Sequence, residues 1–84
     1  MSDIDNTLKE RGARYGDFRS HAEISQMLKS LVLDHDAQLA PYQAEALEMI
    51  CHKLARIVNG DPNYADSWRD IAGYAQLVVR ELER

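Results

Sequence analysis

Four carboxylates and three cations are the residues of this chain best spaced for chemistry. Glu45 and Glu48 are three apart and Asp66 and Asp70 four apart, so each pair shares one face of a helix. If the two helices run antiparallel through a short turn, Glu48, Asp66 and Asp70 come within reach of one another, with Glu45 a turn more distant. Four carboxylates facing one space would hold Mg2+ or Mn2+, which favour oxygen ligands and keep waters for substrate phosphates. The same acids equally suit a solvated helix surface, with Asp66 as a cap and Glu48 beside His52 or Lys53.

Lys53 and Arg56, reinforced by Arg69, could grip a triphosphate, or neutralise Asp66 and Asp70 across the helix pair. Arg14-Tyr15-Gly16-Asp17-Phe18 precedes a helix start. It reads either as a nucleotide-contacting turn with an aromatic stacked on a base, or as a hydrophobic staple. Trp68 and Tyr74 read as core or interface residues. Gly73 in mid-helix costs up to ~1 kcal/mol relative to alanine, so close approach of a helix or ligand is expected there. His21, His35 and His52 are too scattered to suggest a ligand set, and no nucleophile–base pair stands out.

The elements that must position these residues read as helices. Asp5 to Arg11 can form a turn or two, broken by Gly12 and Gly16. Asp17 is a good N-cap for a helix from Phe18 to about Leu33, with Asp34–Leu39 as a loop. A second long helix begins at Pro41, where the missing N–H costs nothing, and is expected to stop at a left-handed Gly60, with Pro62 beyond. Leu47, Ile50, Cys51, Leu54, Ile57 and Val58 form its apolar stripe. The last helix starts after Pro62 or at Asp66, with a seam of Tyr64, Trp68, Ile71, Ala75, Val78 and Leu82. Nothing reads as a strand. The expected fold class is all-α: a helical hairpin plus an additional N-terminal helix, completing a four-helix-type bundle by oligomerisation.

Eighty-four residues make one domain, 1–84, with a core that is marginal at this size. The single Cys51 rules out an internal disulfide and reads as a small buried hydrophobe in a reducing cytoplasm. An unstapled chain of this length gains burial by pairing, so a homodimer or larger homo-oligomer is expected. The net charge of −4, with bases interleaved among acids, argues against nucleic-acid binding. No apolar run approaches a membrane span, and the start, Met1-Ser2-Asp3-Ile4-Asp5, is not signal-like.

Two stretches resemble a known family. Arg14-Tyr15-Gly16-Asp17-Phe18 and the run from Glu45 through Ala75, containing Glu45-Ala-Leu-Glu48, Lys53-Leu-Ala-Arg56, Asn59-Gly60-Asp61-Pro62 and Asp66-Ser-Trp68-Arg-Asp70-Ile-Ala-Gly73-Tyr74, are similar to small phage and prophage MazG-like domains. The resemblance covers about residues 11 to 80. It implies an all-α, oligomeric, Mg2+-dependent hydrolase that converts nucleoside triphosphates to monophosphate and pyrophosphate. In that reading Glu48, Asp66 and Asp70 hold Mg2+ (or Mn2+), and Glu45 is the catalytic residue that orients or deprotonates water. Lys53 and Arg56 bind phosphate, and Arg14 and Tyr15 contact the nucleotide. The chain departs from the family's motifs at Ala44, where a doubled glutamate is usual, and in its Asp-x-x-x-Asp spacing. The competing expectation is a non-catalytic phage-type interaction protein that binds or inhibits a host partner through an acidic surface.

Overall fold

The computed structural model describes residues 2–34 and 38–84, apart from the side chain of Ser2. All of its regular structure is helical: α1 (Ser2–Tyr15), α2 (Phe18–Leu33), α3 (Pro41–Asn59) and α4 (Ala65–Leu82). His35, Asp36 and Ala37, in the expected loop, lie outside the described residues. No helix of the described residues is long and apolar enough to cross a membrane.

The N-terminal segment departs from expectation. Instead of breaking at Gly12, α1 continues through it to Tyr15. An exposed glycine lowers helix propensity by only ~1 kcal/mol, and other features favour the helix. Asp3 and Asp5 in its first turn and Arg14 in its last complement the helix dipole. Gly16, at φ 79°, supplies the left-handed stop, its N–H donating to Gly12 O at 2.8 Å.

The start of α2 matches its sequence signature. The Asp17 carboxylate accepts from the Ser20 N–H at 2.9 Å, closing the first turn. At the start of α3, Pro41 occupies the first turn, and the Gln43 side chain accepts from the Ala40 N–H at 2.9 Å. Gly60 does terminate α3, but not as a left-handed stop. Its φ and ψ are −129° and −130°, and glycine is required there for another reason. A Cβ on Gly60 would run into the backbone of Arg14 and Tyr15.

α3 is the centre of the fold. It packs against α2 on one side and α4 on the other, while α2 and α4 do not pack on each other; α1 lies across α2 and α3. Among the described residues, the buried apolar ones all belong to α3: Ala46, Cys51, Ala55 and Ile57. Three of the four are small, which lets both neighbours approach closely but leaves little apolar volume inside. Leu54 and Val58, placed in the apolar stripe from sequence, are exposed.

The seam of α4 is also rotated from the expected one. Ser67 is buried and Ile71, Tyr74 and Val78 are half-buried, whereas Trp68, Ala75 and Leu82 are exposed. The Trp68 indole N–H donates to Pro62 O at 2.8 Å, pinning the α3–α4 connection to the first turn of α4. That hydrogen bond holds the ring outward, so the position that looks most apolar in sequence is not the one facing α3.

Candidate functional site

The two stretches singled out from sequence meet in space. The Asn59 side-chain amide donates to Tyr15 O at 2.9 Å and to Asp17 O at 2.8 Å. The Asp61 N–H donates to Arg14 O at 2.7 Å. Gly16 lies against the Asn59 backbone and Gly60 against Arg14 and Tyr15, with no room for a Cβ at either position. Side chains reinforce the crossing. The Arg56 guanidinium stacks 4.0 Å above the Tyr15 ring, and Arg14 stacks 4.4 Å above Tyr64. The Tyr15 and Tyr64 rings meet edge-on at 6.1 Å.

Beside this crossing, α1, α2 and α3 border an open-sided cavity of about 490 Å3, whose lining includes Arg11, Tyr15, Phe18, His21, His52 and Arg56. That volume is typical of a small-molecule site. Phe18 is 79% exposed on its lining and offers an open aromatic face. His21 is only 6% exposed, and its Nδ1 has no hydrogen-bond partner among the described residues. The His21 and His52 rings contact edge-to-face, with centroids 4.6 Å apart and planes at 85°. Burial lowers the pKa of both imidazoles, and the nearby Arg56 lowers each further; His52 is pushed down to about 4. Both are therefore neutral at pH 7. Asp17, also on the cavity lining, stays ionised because the Ser20 N–H and hydroxyl hold its carboxyl below the usual value.

The depressed pKa of His52 makes stability pH-dependent. The unfolded chain takes up this proton near the ordinary 6.5, the folded one only near 4, so the unfolded state holds more protons across that window. Stability rises with pH through it and is level above. Acidification from pH 7 to pH 4 is expected to remove about 1–2 kcal/mol through this residue, allowing for partial solvation. His52→Gln should flatten the curve of urea-unfolding free energy over that range. The stabilisation from Asp17 is present above its ordinary 3.8 and is lost only as the pH falls below that value.

Two of the four carboxylates form the ion pairs that the sequence left open as the alternative to a metal cluster. Lys53 Nζ lies 3.0 Å from Asp70 Oδ2 across α3 and α4. Asp66 is bound by Arg69 at 2.6 Å and accepts from the Tyr64 hydroxyl at 3.0 Å. Glu45 is exposed and Glu48 half-buried. Among the described residues, no three His, Cys, Asp or Glu side chains stand where they could hold a metal ion. Two of the four acids, Asp66 and Asp70, are each paired with a cation. The sequence allowed either a phosphate grip or ion pairing for Lys53 and Arg69, and the fold uses both in ion pairs.

The Lys53 side chain is 12% exposed, against 47% for Asp70. Asp70→Ala would leave a largely buried ammonium without its partner, and is expected to destabilise the domain by about 2–3 kcal/mol. Asp70→Asn keeps an acceptor oxygen and should lose less than half as much in the same urea titration.

Of the residues proposed from sequence, Tyr15 and Arg56 reach the cavity, Arg14 anchors the turn beside it, and Lys53 does not line it. Arg11, His21 and His52 were not assigned to a site from sequence. A signal for the histidines was present: His21 lies about three turns before the α2–α3 connection and His52 about three turns after it. An antiparallel pairing of those helices sets them opposite each other. Gly73, where the sequence led us to expect a close approach, sits in open space: a Cβ there would meet nothing within 4 Å.

These features define a four-helix, all-α domain with a cavity lined by arginine, histidine and aromatic side chains. The chain belongs to the family described as a domain of unknown function (DUF6378), whose family model matches residues 3–81. No match was found among the curated proteins or the solved structures.

Proposed function

We propose that the domain is a MazG-like nucleotide-binding module that takes a nucleoside phosphate into the cavity between α1, α2 and α3. The observation that carries this reading is the convergence of Arg11, Arg56, Tyr15 and Phe18 on one cavity. Guanidinium groups engage phosphate oxygens in pairs, and an exposed aromatic face stacks on a base of any identity. Arg56 is the principal phosphate ligand and the Tyr15 ring holds it in place. Arg14 acts indirectly, by fixing the turn that carries Tyr15.

Binding is favoured over Mg2+-dependent pyrophosphohydrolysis because Asp66 and Asp70 are paired with Arg69 and Lys53. A homo-oligomer is supported by the large apolar side chains left exposed, among them Leu54, Val58 and Leu77. The same surface favours a second reading, an interaction protein that docks on a host partner. A cytoplasmic setting is supported by the buried free thiol of Cys51, which burial holds in its neutral form.

The test is calorimetric titration of a panel of ribo- and deoxyribonucleoside tri- and monophosphates, in EDTA and in Mg2+, with pyrophosphate release measured in parallel. Binding that persists in EDTA, without pyrophosphate release, is expected. Mg2+-dependent release would instead establish the hydrolase. Absence of binding throughout would leave the interaction reading.

A further inference from the structure

Resting on the nucleotide-binding reading, we infer that the cavity receives the terminal phosphate of a nucleotide together with one proton, which His21 takes up as the phosphate seats between Arg11 and Arg56. The first support is the unpartnered Nδ1 of a side chain that is 6% exposed and lines the cavity. A buried polar atom without a partner costs about 1–3 kcal/mol and is uncommon in native structures. A phosphate oxygen that reaches Nδ1 as the nucleotide seats would remove that cost. The second support is the company that His21 keeps. Arg11 of α1, Asp17 of the α1–α2 turn, and His52 and Arg56 of α3 share the cavity with it. Lys29 on its own helix and Lys53 on α3 add further positive potential, and α4 does not pack against α2.

In the empty cavity this excess of cations, added to burial, keeps His21 neutral. A phosphate dianion reverses the sign of the local field, so the charged imidazole becomes the favoured form. The proton comes from the buffer and no covalent bond changes. A phosphate monoester carries two charges at neutral pH, because its second pKa is near 6. A phosphodiester carries one, so its field at the ring is about half that of the monoester dianion. The site should therefore favour nucleotides with a free terminal phosphate over cyclic ones.

The test uses the intact chain and the 5′-monophosphates of adenosine, guanosine, cytidine, uridine and thymidine, with their 3′,5′-cyclic counterparts. Titrations at pH 7 in buffers of different ionisation enthalpy give the number of protons taken up. Imidazole NMR titrations with and without the tightest monophosphate follow His21 directly, and do not depend on any variant folding. The expected results are uptake approaching one proton for a monophosphate and an upward shift of the His21 titration on binding. Affinity should rise severalfold between pH 8 and pH 6.5. Uptake should be lost in His21→Gln and absent for the cyclic nucleotides. Arg56-dependent binding without proton uptake would overturn this inference and leave the nucleotide-binding reading intact. No binding of any nucleotide would overturn both.

Discussion

Gly16→Ala is expected to unfold the domain or come close to it, with a loss on the order of 3 kcal/mol or more. Two independent penalties act at this position. Its φ of 79° is a conformation that alanine adopts only with strain. A Cβ there would also strike the carbonyl of Asn59 and lie 2.9 Å from its Nδ2. Relief by moving Asn59 would break its hydrogen bonds to Tyr15 and Asp17. Gly60→Ala meets the same crossing from the other side, against the Arg14 and Tyr15 backbone, and should be nearly as damaging. Gly73→Ala is the contrast. With open space around it in mid-helix, alanine is expected to stabilise by about 0.5–1 kcal/mol. Urea titrations of the three variants check the ordering. A mild Gly16→Ala would mean that α1 is not locked to the end of α3.

Arg56→Ala is expected to weaken nucleoside monophosphate binding by 10- to 100-fold while the domain remains folded. A guanidinium–phosphate contact contributes about 1.5–3 kcal/mol, which corresponds to that range. The stacking on Tyr15 that is lost with it contributes only about 0.5–1 kcal/mol to stability. Arg56→Lys should recover little of the affinity, since an ammonium lacks the planar fork that both stacks on Tyr15 and meets two oxygens. Arg69→Ala is the matched control. Its side chain is 73% exposed and paired with Asp66 outside the cavity, so affinity should be unchanged. Equal losses in the two variants would show that net charge rather than the cavity governs binding.

Much of the secondary structure was legible in the sequence because its signals are local. Asp17 caps α2 through the Ser20 N–H, and Pro41 opens α3. The apolar spacing from Phe18 to Leu33 is enough to mark a helix. Where a reading was local but incomplete, it failed in a specific way. Gly12 looked like a break, yet one glycine does not end a helix whose dipole and C-terminal stop are both satisfied. Gly60 looked like a left-handed stop because it follows Asn59 and has Pro62 two residues beyond. Its role is set by Arg14 and Tyr15, far away in sequence.

The candidate site divides along the same line. Tyr15 and Arg56 were separate candidates by residue type, and only the fold brings them to one cavity. That His21 and His52 form a pair did not follow from residue type, because a contact between two helices depends on the register in which they pack. Asp66 and Asp70 share a helix face by periodicity alone, which the sequence determines through the 3.6-residue repeat. Asp66 meets Arg69 within a single turn of α4, whereas the pairing of Asp70 with Lys53 across α3 and α4 was decided only in the tertiary structure. The physical reason is range. Capping, periodicity and i,i+3 pairs act within a turn or two of chain, whereas the partner of Asp70 is the cation that the packed helices bring to it.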